Sequence, residues 1–434
     1  MKAYTELTHE ELALELASEQ ERYRDYLARD LKLNMARGKP SPEQLDLSLP
    51  LLDLVLGDRA AELLHAGAAD DYRNYGGLTG LPALRELFGA LLEVPASNVI
   101  VGGNASLSLM YNLIALAMTH GVLGSTPWVS LERKPAFLCP VPGYDRHFSI
   151  CEFFGIEMIP VPLLPTGPDM YTVETLVTTD ERIKGIWCVP RFSNPTGCVY
   201  SDETVERFAN LKPAARDFRI YWDNAYAVHE FAQPGQASDK TTLLNLKNAC
   251  DRAGNHNLWY QFTSTSKITF AGGGIAAMAS SEENIESITS ALSMQTIGPD
   301  KINQQRHALF LPDLAAVHEH MAKQAAFLRP RFAAVLRVLE AGLAETGIGE
   351  WTTPQGGYFI SFNGPPRTAK RTVELAAQAG VVLTPAGATY PYGRDPRDSN
   401  IRIAPSYPAL EELELAAEVL VTCVRIAALE QLIQ

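Results

Sequence analysis

Cysteine is sparse, and none of it is paired by spacing. The six residues, Cys139, Cys151, Cys188, Cys198, Cys250 and Cys423, are scattered without a CxxC. Neither a zinc cluster nor a disulfide framework is expected, and they read as buried thiols of a reducing compartment. Positive charge is also short. Against 50 Asp and Glu there are 37 Lys and Arg, a formal net charge of -13, and no basic run is interleaved with aromatics. Such a surface repels polyanions, so nucleic acid is not an expected partner. No stretch reaches the roughly 18 uninterrupted apolar residues of a membrane span. The segment from Met1 to about Asp30 is rich in Glu and Leu and lacks the apolar core of a secretory leader. The expectation is a cytoplasmic protein with no metal and no membrane contact.

What is present fits a folded enzyme-sized chain. With 434 residues, 46% hydrophobic and 20% charged, the natural reading is a two-domain α/β protein. Glu10 to Leu33 has Leu, Ala and Tyr at helical intervals and predicts one amphipathic helix, an arm packing on something larger. A Gly/Pro-punctuated loop follows, Arg37-Gly38-Lys39-Pro40-Ser41-Pro42. Between about Asn98 and Ser280 short apolar runs alternate with helical patterns: Val99-Ile100-Val101, Ala136 to Cys139, Gly185 to Val189, Ile220-Tyr221-Trp222 and Ile275 to Met278. Near-continuous apolar strands separated by helices predict a largely parallel sheet buried on both faces. Past about Pro312 a long helical stretch precedes Gly357 to Phe362, Val381-Val382-Leu383 and Asn400 to Ile403, which predict a smaller α+β domain.

Several of these strands run directly into a chemically rich loop, and in open α/β sheets ligands bind beyond the carboxyl ends of the strands. Gly102-Gly103-Asn104 precedes a helix with Ser106 in its first turn: a plain turn, or an anion site at a helix N-terminus. Pro142-Gly143-Tyr144 places an aromatic after a turn, and Asn194-Pro195-Thr196-Gly197 is turn-like by composition. Asp223 ends a buried strand, with Tyr226 three residues on, and its carboxylate asks for a cation or a cap. Lys267, in Thr263-Ser264-Thr265-Ser266-Lys267 before Gly272-Gly273-Gly274, is either a solvated loop lysine or a desolvated amine poised toward a carbonyl. Arg402 follows an apolar run. One cofactor would explain every one of these features and their order.

That order resembles the class I aminotransferases of pyridoxal-5'-phosphate (PLP) fold type I, from about Leu33 to the C-terminus. Arg37 to Pro42 and Thr265-Ser266-Lys267-Ile268-Thr269-Phe270-Ala271-Gly272 resemble more narrowly the divergent MocR-type aminotransferase group, which includes aspartate aminotransferases. The resemblance implies a large domain with a mostly parallel seven-stranded sheet plus a smaller α+β domain, divided as 1–50 (arm and small-domain segment), 51–311 and 312–434. It implies a Schiff base between Lys267 and the cofactor aldehyde, Asp223 on the pyridine nitrogen, Asn194 and Tyr226 on the phenolic oxygen O3', and Tyr144 stacked on the ring. Asn104, Ala105, Ser106 and Ser264 would hold the phosphate. Tyr75 would reach the neighbouring subunit's phosphate, which implies a homodimer. Arg402, Asn194 and the Gly38 N–H would receive the substrate carboxylate. The substrates would be an amino acid, aspartate or glutamate, and a 2-oxo acid.

One position departs from the pattern. Many class I enzymes carry a phosphate-binding arginine eight residues after the lysine, where this chain has Ile275. Arg306 and Lys301 are the substitutes considered, and Arg37, Lys39 and Arg306 are the cations considered for a second substrate carboxylate. The scaffold also serves β-lyases, decarboxylases and, behind a DNA-binding module, PLP-binding regulators. Ser264-Thr265-Ser266-Lys267 fits the Ser-x-x-Lys of acyl-serine enzymes too, but no Lys-Thr-Gly follows and Tyr72-Arg73-Asn74 lies on the wrong side of it.

Overall fold

The computed structural model describes residues 3–57, 60–65, 71–232 and 241–434. The chain enters through helix His9–Leu27, opened by reciprocal capping: Thr8 Oγ1 accepts from the Glu11 N–H at 3.2 Å, and Glu11 Oε2 accepts from the Thr8 N–H at 2.7 Å. The helix stops short of the expected Leu33. Asp30 takes φ +48°, a left-handed step that no helix of L-residues continues through, and Leu33–Asn34 is instead a strand, β1.

The central sheet is built from β2 (Val99–Val101), β3 (Ala136–Val141), β4 (Glu157–Leu164), β5 (Gly167–Pro168), β6 (Ile183–Cys188), β7 (Arg219–Asp223), β8 (Trp259–Ser264) and β9 (Ala276–Ser280). Their order is β2-β9-β8-β7-β6-β3-β4-β5, with β9 antiparallel to both neighbours and β5 antiparallel to β4. The other pairings, β8-β7-β6-β3-β4, are parallel. The expected seven strands are therefore present, and β5 adds a two-residue eighth at the edge. Pattern reading did not single out β4, because Pro160 and Pro162 demote it. Both prolines point their nitrogens to the side away from β3: the Pro162 carbonyl accepts from Asp169 on the outer side, at 2.8 Å. Missing donors cost little on that edge.

Alternation sorts the strands onto two cores. On β7, Ile220 and Trp222 join one apolar cluster and Tyr221 the other, so both faces are covered, as continuous apolar runs require.

A third cluster unites the two ends of the chain. It holds Tyr4, Leu12, Tyr23, Tyr26 and Met35 together with Phe332, Leu339, Ile360, Ile403, Leu413 and Leu420. Here β10 (Glu350–Trp351), β11 (Ile360–Asn363) and β13 (Asn400–Ile403) form an antiparallel sheet, while β12 (Val381–Val382) pairs in parallel with β1. The first helix lies on helix Leu410–Ile433, where Arg425 Nη1 meets Glu19 Oε1 at 2.6 Å with both groups buried. Helix Leu314–Leu343 runs from one core to another: Val317 and Met321 pack beside the large sheet, Leu328 to Leu343 in the third cluster. Among the described residues no helix is long and apolar enough to cross a membrane, and no group of His, Cys, Asp and Glu is placed to hold a metal.

Candidate active site

A cavity of about 200 Å³ opens at the carboxyl ends of β6, β7 and β8. Eight residues expected from the sequence line it: Ala105, Ser106, Tyr144, Asn194, Asp223, Tyr226, Ser264 and Lys267. Asp223 is the last residue of β7 and almost wholly buried. Its Oδ2 accepts from His147 Nε2 at 3.0 Å, whereas Oδ1 is buried with no hydrogen-bond partner among the described residues. A carboxylate oxygen in that state is costly unless a donor comes to it. His147 is pinned by a stacked Trp187, 4.5 Å between ring centroids, and by the edge of Tyr144. Sequence reading missed it. It lies three residues beyond Tyr144 on the first turn of helix Asp145–Phe153, and nothing local marks a lone histidine there.

Lys267 closes a single helical turn, Thr265–Lys267, directly after β8. Among the described residues its Nζ has no hydrogen-bond partner, and it sits over the Tyr226 ring at 4.8 Å from the centroid. Burial lowers the lysine pKa, Asp223 partly restores it, and Arg402 lowers it again. The turn itself is clamped. The Lys267 carbonyl faces His229 Nε2 at 3.3 Å, and the Ile268 carbonyl accepts from His320 Nε2 at 2.7 Å and Gln324 Nε2 at 3.2 Å. Gln324 in turn receives the Gln44 amide at 2.8 Å, so the segment after the Arg37 loop is tied to the lysine turn. Burial drives the Tyr226 phenol pKa well up, and it pushes that of Tyr144 to about 12, with Asp223 and Asp145 adding to it.

At the opposite end lies helix Ser106–His120 with Ala105 as its N-cap; the Ser108 N–H returns to the Ala105 carbonyl at 3.1 Å, and the Ser106 and Leu107 N–H groups lack intrahelical acceptors. Ser264 and Ser266 hydroxyls lie 3.1 Å apart, and Ser266 Oγ donates to the Asn104 carbonyl at 3.0 Å. Asn104 thus braces the pocket from outside, and its side chain is not part of the lining. Ser266 is a lining residue the sequence reading did not single out. The Ile275 side chain is packed in the core, while its backbone pairs with Thr265, so that position is closed to a phosphate ligand. Of the substitutes considered, Lys301 donates to the Asp71 and Tyr75 carbonyls at 3.3 and 3.0 Å, and neither Lys301 nor Arg306 lines the cavity.

Arg402, on β13, reaches the rim. Its Nη1 donates to Asn194 Oδ1 at 3.2 Å and to Asp145 Oδ1 at 2.7 Å, and its guanidinium lies over Phe359, 4.9 Å from the ring centre. Gly38 stands against that same Phe359: a Cβ there would come within 2.5 Å of the ring. Lys39 is exposed, its Nζ over the Tyr407 ring at 3.7 Å, and Arg37 is exposed as well. Tyr75 is 81% exposed and takes no part in its own chain's cavity.

Comparison with known proteins places the chain in a family. A family model described as aspartate amino-transferase matches residues 7–434. The aspartate aminotransferase of Corynebacterium glutamicum is 45% identical over 405 residues, 93% of this chain and 91% of that one. The crystal structure of an aspartate transaminase from the same organism superposes with a TM-score of 0.93 at 42% identity, covering 99% of both chains. An α-aminoadipate aminotransferase from Thermus thermophilus, complexed with N-(5'-phosphopyridoxyl)-L-leucine, shares the fold at 18% identity and a TM-score of 0.72. With a family match over nearly its whole length and a close relative of matching extent, the chain belongs to the aspartate aminotransferase family.

Proposed function

We propose that the protein is a PLP-dependent aminotransferase that carries the amino group of aspartate or glutamate to a 2-oxo acid in a ping-pong cycle. The observation that carries this reading is that one cavity holds both the Lys267 amine and a buried Asp223 oxygen, neither with a hydrogen-bond partner among the described residues. That oxygen is an acceptor waiting for a cationic N–H, which the pyridinium of PLP offers. The residues present fit the group. The chemistry PLP supplies when bound is an electron sink for the substrate's α-carbon.

The chain's own groups do the rest. Asp223 Oδ1 would hold the proton on the ring nitrogen, with His147 keeping Oδ2 in place. Asn194, whose Oδ1 is occupied by Arg402, has its Nδ2 left to donate to O3', and the Tyr226 hydroxyl joins it. Tyr144, which lines the cavity, would cover the ring. Ala105 and Ser106 at the N-terminus of helix Ser106–His120 would hold the phosphate through N–H and hydroxyl groups, with the Ser264 and Ser266 hydroxyls turning from their present acceptors to join them, and no arginine stands at the Ile275 position. Lys267 Nζ, with its pKa lowered by burial, takes the proton from the substrate α-carbon and returns it on the far side of the transfer. Arg402 grips the α-carboxylate with help from the Gly38 N–H, and Lys39 or Arg37 meets the side-chain carboxylate. Tyr75, exposed on its own subunit, serves the phosphate of a partner subunit in a homodimer. The protein works in the cytoplasm.

Borohydride reduction of the PLP-loaded protein, followed by peptide mass spectrometry, tests the lysine assignment. The pyridoxyl-phosphate mass belongs on the peptide containing Lys267, and Lys267→Ala abolishes both that mass and transamination. A variant that retained turnover, or a label on another lysine, sinks the reading.

A further inference from the structure

Arg402 holds a carboxylate of its own chain on the edge that faces the cavity. Nη1 donates to both Asp145 Oδ1 and Asn194 Oδ1, which spends the two hydrogens on that nitrogen. Asn194 lines the cavity, so the Nη1 edge is the one turned toward it, while Nε reaches Thr384 Oγ1 at 3.4 Å on the other edge. A carboxylate arriving from the cavity and taking the guanidinium end-on, through Nη1 and Nη2, therefore needs a hydrogen that Asp145 or Asn194 holds.

The two partners are not equally able to part. The Asp145 side chain is 33% exposed and that of Arg402 7%. Asp145 also opens helix Asp145–Phe153, where the positive end of the helix dipole steadies a carboxylate without help from Arg402. A buried guanidinium has no such second home, and leaving it unpaired is costly. The pair also spans two parts of the fold: Asp145 follows β3 of the large sheet, and Arg402 belongs to the three-stranded sheet.

We infer that Asp145 is a resident carboxylate that keeps Arg402 paired in the substrate-free protein and is exchanged for the substrate's α-carboxylate, so that it sets the affinity of the site. The inference rests on Arg402 being the residue that receives the substrate carboxylate. Exchange spares Arg402 an unpaired state at any point. It also means that substrate binding must break the Asp145 pair and bring a second negative charge near Asp145, which holds carboxylate affinity below what a free Arg402 would give.

Calorimetric titration of the PLP-loaded enzyme with maleate, a non-reacting dicarboxylate, tests this. Asp145→Asn keeps an oxygen for Nη1 but removes the charge. It should tighten maleate binding about two- to fivefold, the scale of a partly exposed ion pair. The KM for aspartate and for 2-oxoglutarate should fall by a like factor, with a smaller change in kcat. Asp145→Ser gives the same tightening and covers the case of an unfolded asparagine variant. Unchanged or weaker maleate binding in the folded variants overturns the exchange; weaker binding would make Asp145 a post that Arg402 needs. Arg402→Lys separates this from the underlying assignment. It should weaken maleate sharply, and wild-type binding there removes Arg402 from substrate recognition whatever Asp145 does.

Discussion

At the scale of single residues, the site depends on groups held in one protonation state by where they are buried. His229 is the clearest case. Its Nε2 faces the Lys267 carbonyl and so carries the proton, leaving Nδ1 buried without a partner among the described residues. Burial first, then the nearby Lys267, depress its pKa from 6.5 to about 3. Between those two values the unfolded chain takes up a proton that the folded chain refuses. Stability therefore rises with pH across that window and is flat above it, and acid removes it progressively. Carboxylates titrate over part of the same range, so the informative quantity is a difference. His229→Gln should lose up to about 1.4 kcal/mol per pH unit of that slope relative to wild type, measured as unfolding free energy from pH 4 to 8. Parallel pH profiles for the two proteins would contradict the assignment of a neutral, buried His229. The sequence offered no route to this residue, since a histidine in Ala227-Val228-His229-Glu230 looks like any other until the lysine turn is folded against it.

At the scale of the element, the turn that carries Lys267 is a hydrogen-bonded unit. His307 Nδ1 must donate to the Asn303 carbonyl, at 2.9 Å, so its Nε2 accepts from Thr269 Oγ1 at the same distance. The Thr265 hydroxyl lies 3.0 Å from that of Thr269 and accepts from the Ile275 N–H at 2.9 Å. A directed chain thus runs from the backbone of Ile275 through both threonines to helix Lys301–Phe310. Thr265→Val keeps the shape and removes the link. It should lower unfolding free energy by about 1–3 kcal/mol, because buried donors lose their partner, and reduce kcat more than KM, because Lys267 is carried on the loosened turn. An unchanged denaturation midpoint would show that the chain contributes nothing. The hydroxyl-rich composition of this turn was visible in the sequence, and so was Lys267; which hydroxyls face the cofactor and which brace the turn was not. Ser264 and Ser266 point to the cavity side, while Thr265 and Thr269 belong to the interior. The strands were legible wherever apolar runs were unbroken, as in β6 and β7, and illegible in β4, where proline interrupts the pattern on an edge that tolerates it. The first helix was legible as amphipathic, but its end was set by Asp30 in a left-handed conformation and not by hydrophobic spacing.

At the scale of the whole molecule, residues far apart in sequence converge because the sheet order brings the ends of β6, β7 and β8 side by side, while Arg402 arrives on a separate sheet. The order of chemical residues along the chain carried most of that information, which is why eight lining residues could be named from sequence alone. Gly38 and Tyr75 could not be placed by the same logic: one packs against Phe359, over which Arg402 lies, and the other is exposed and outside the lining of its own chain's cavity. The most direct measurement is a single-turnover reaction of the PLP-loaded protein with aspartate in the absence of any 2-oxo acid, quantifying products per subunit. Amino transfer predicts one oxaloacetate and one pyridoxamine phosphate per subunit, with no further turnover until a 2-oxo acid is added. Continuous release of ammonia or carbon dioxide, with the cofactor recovered as PLP, would contradict it.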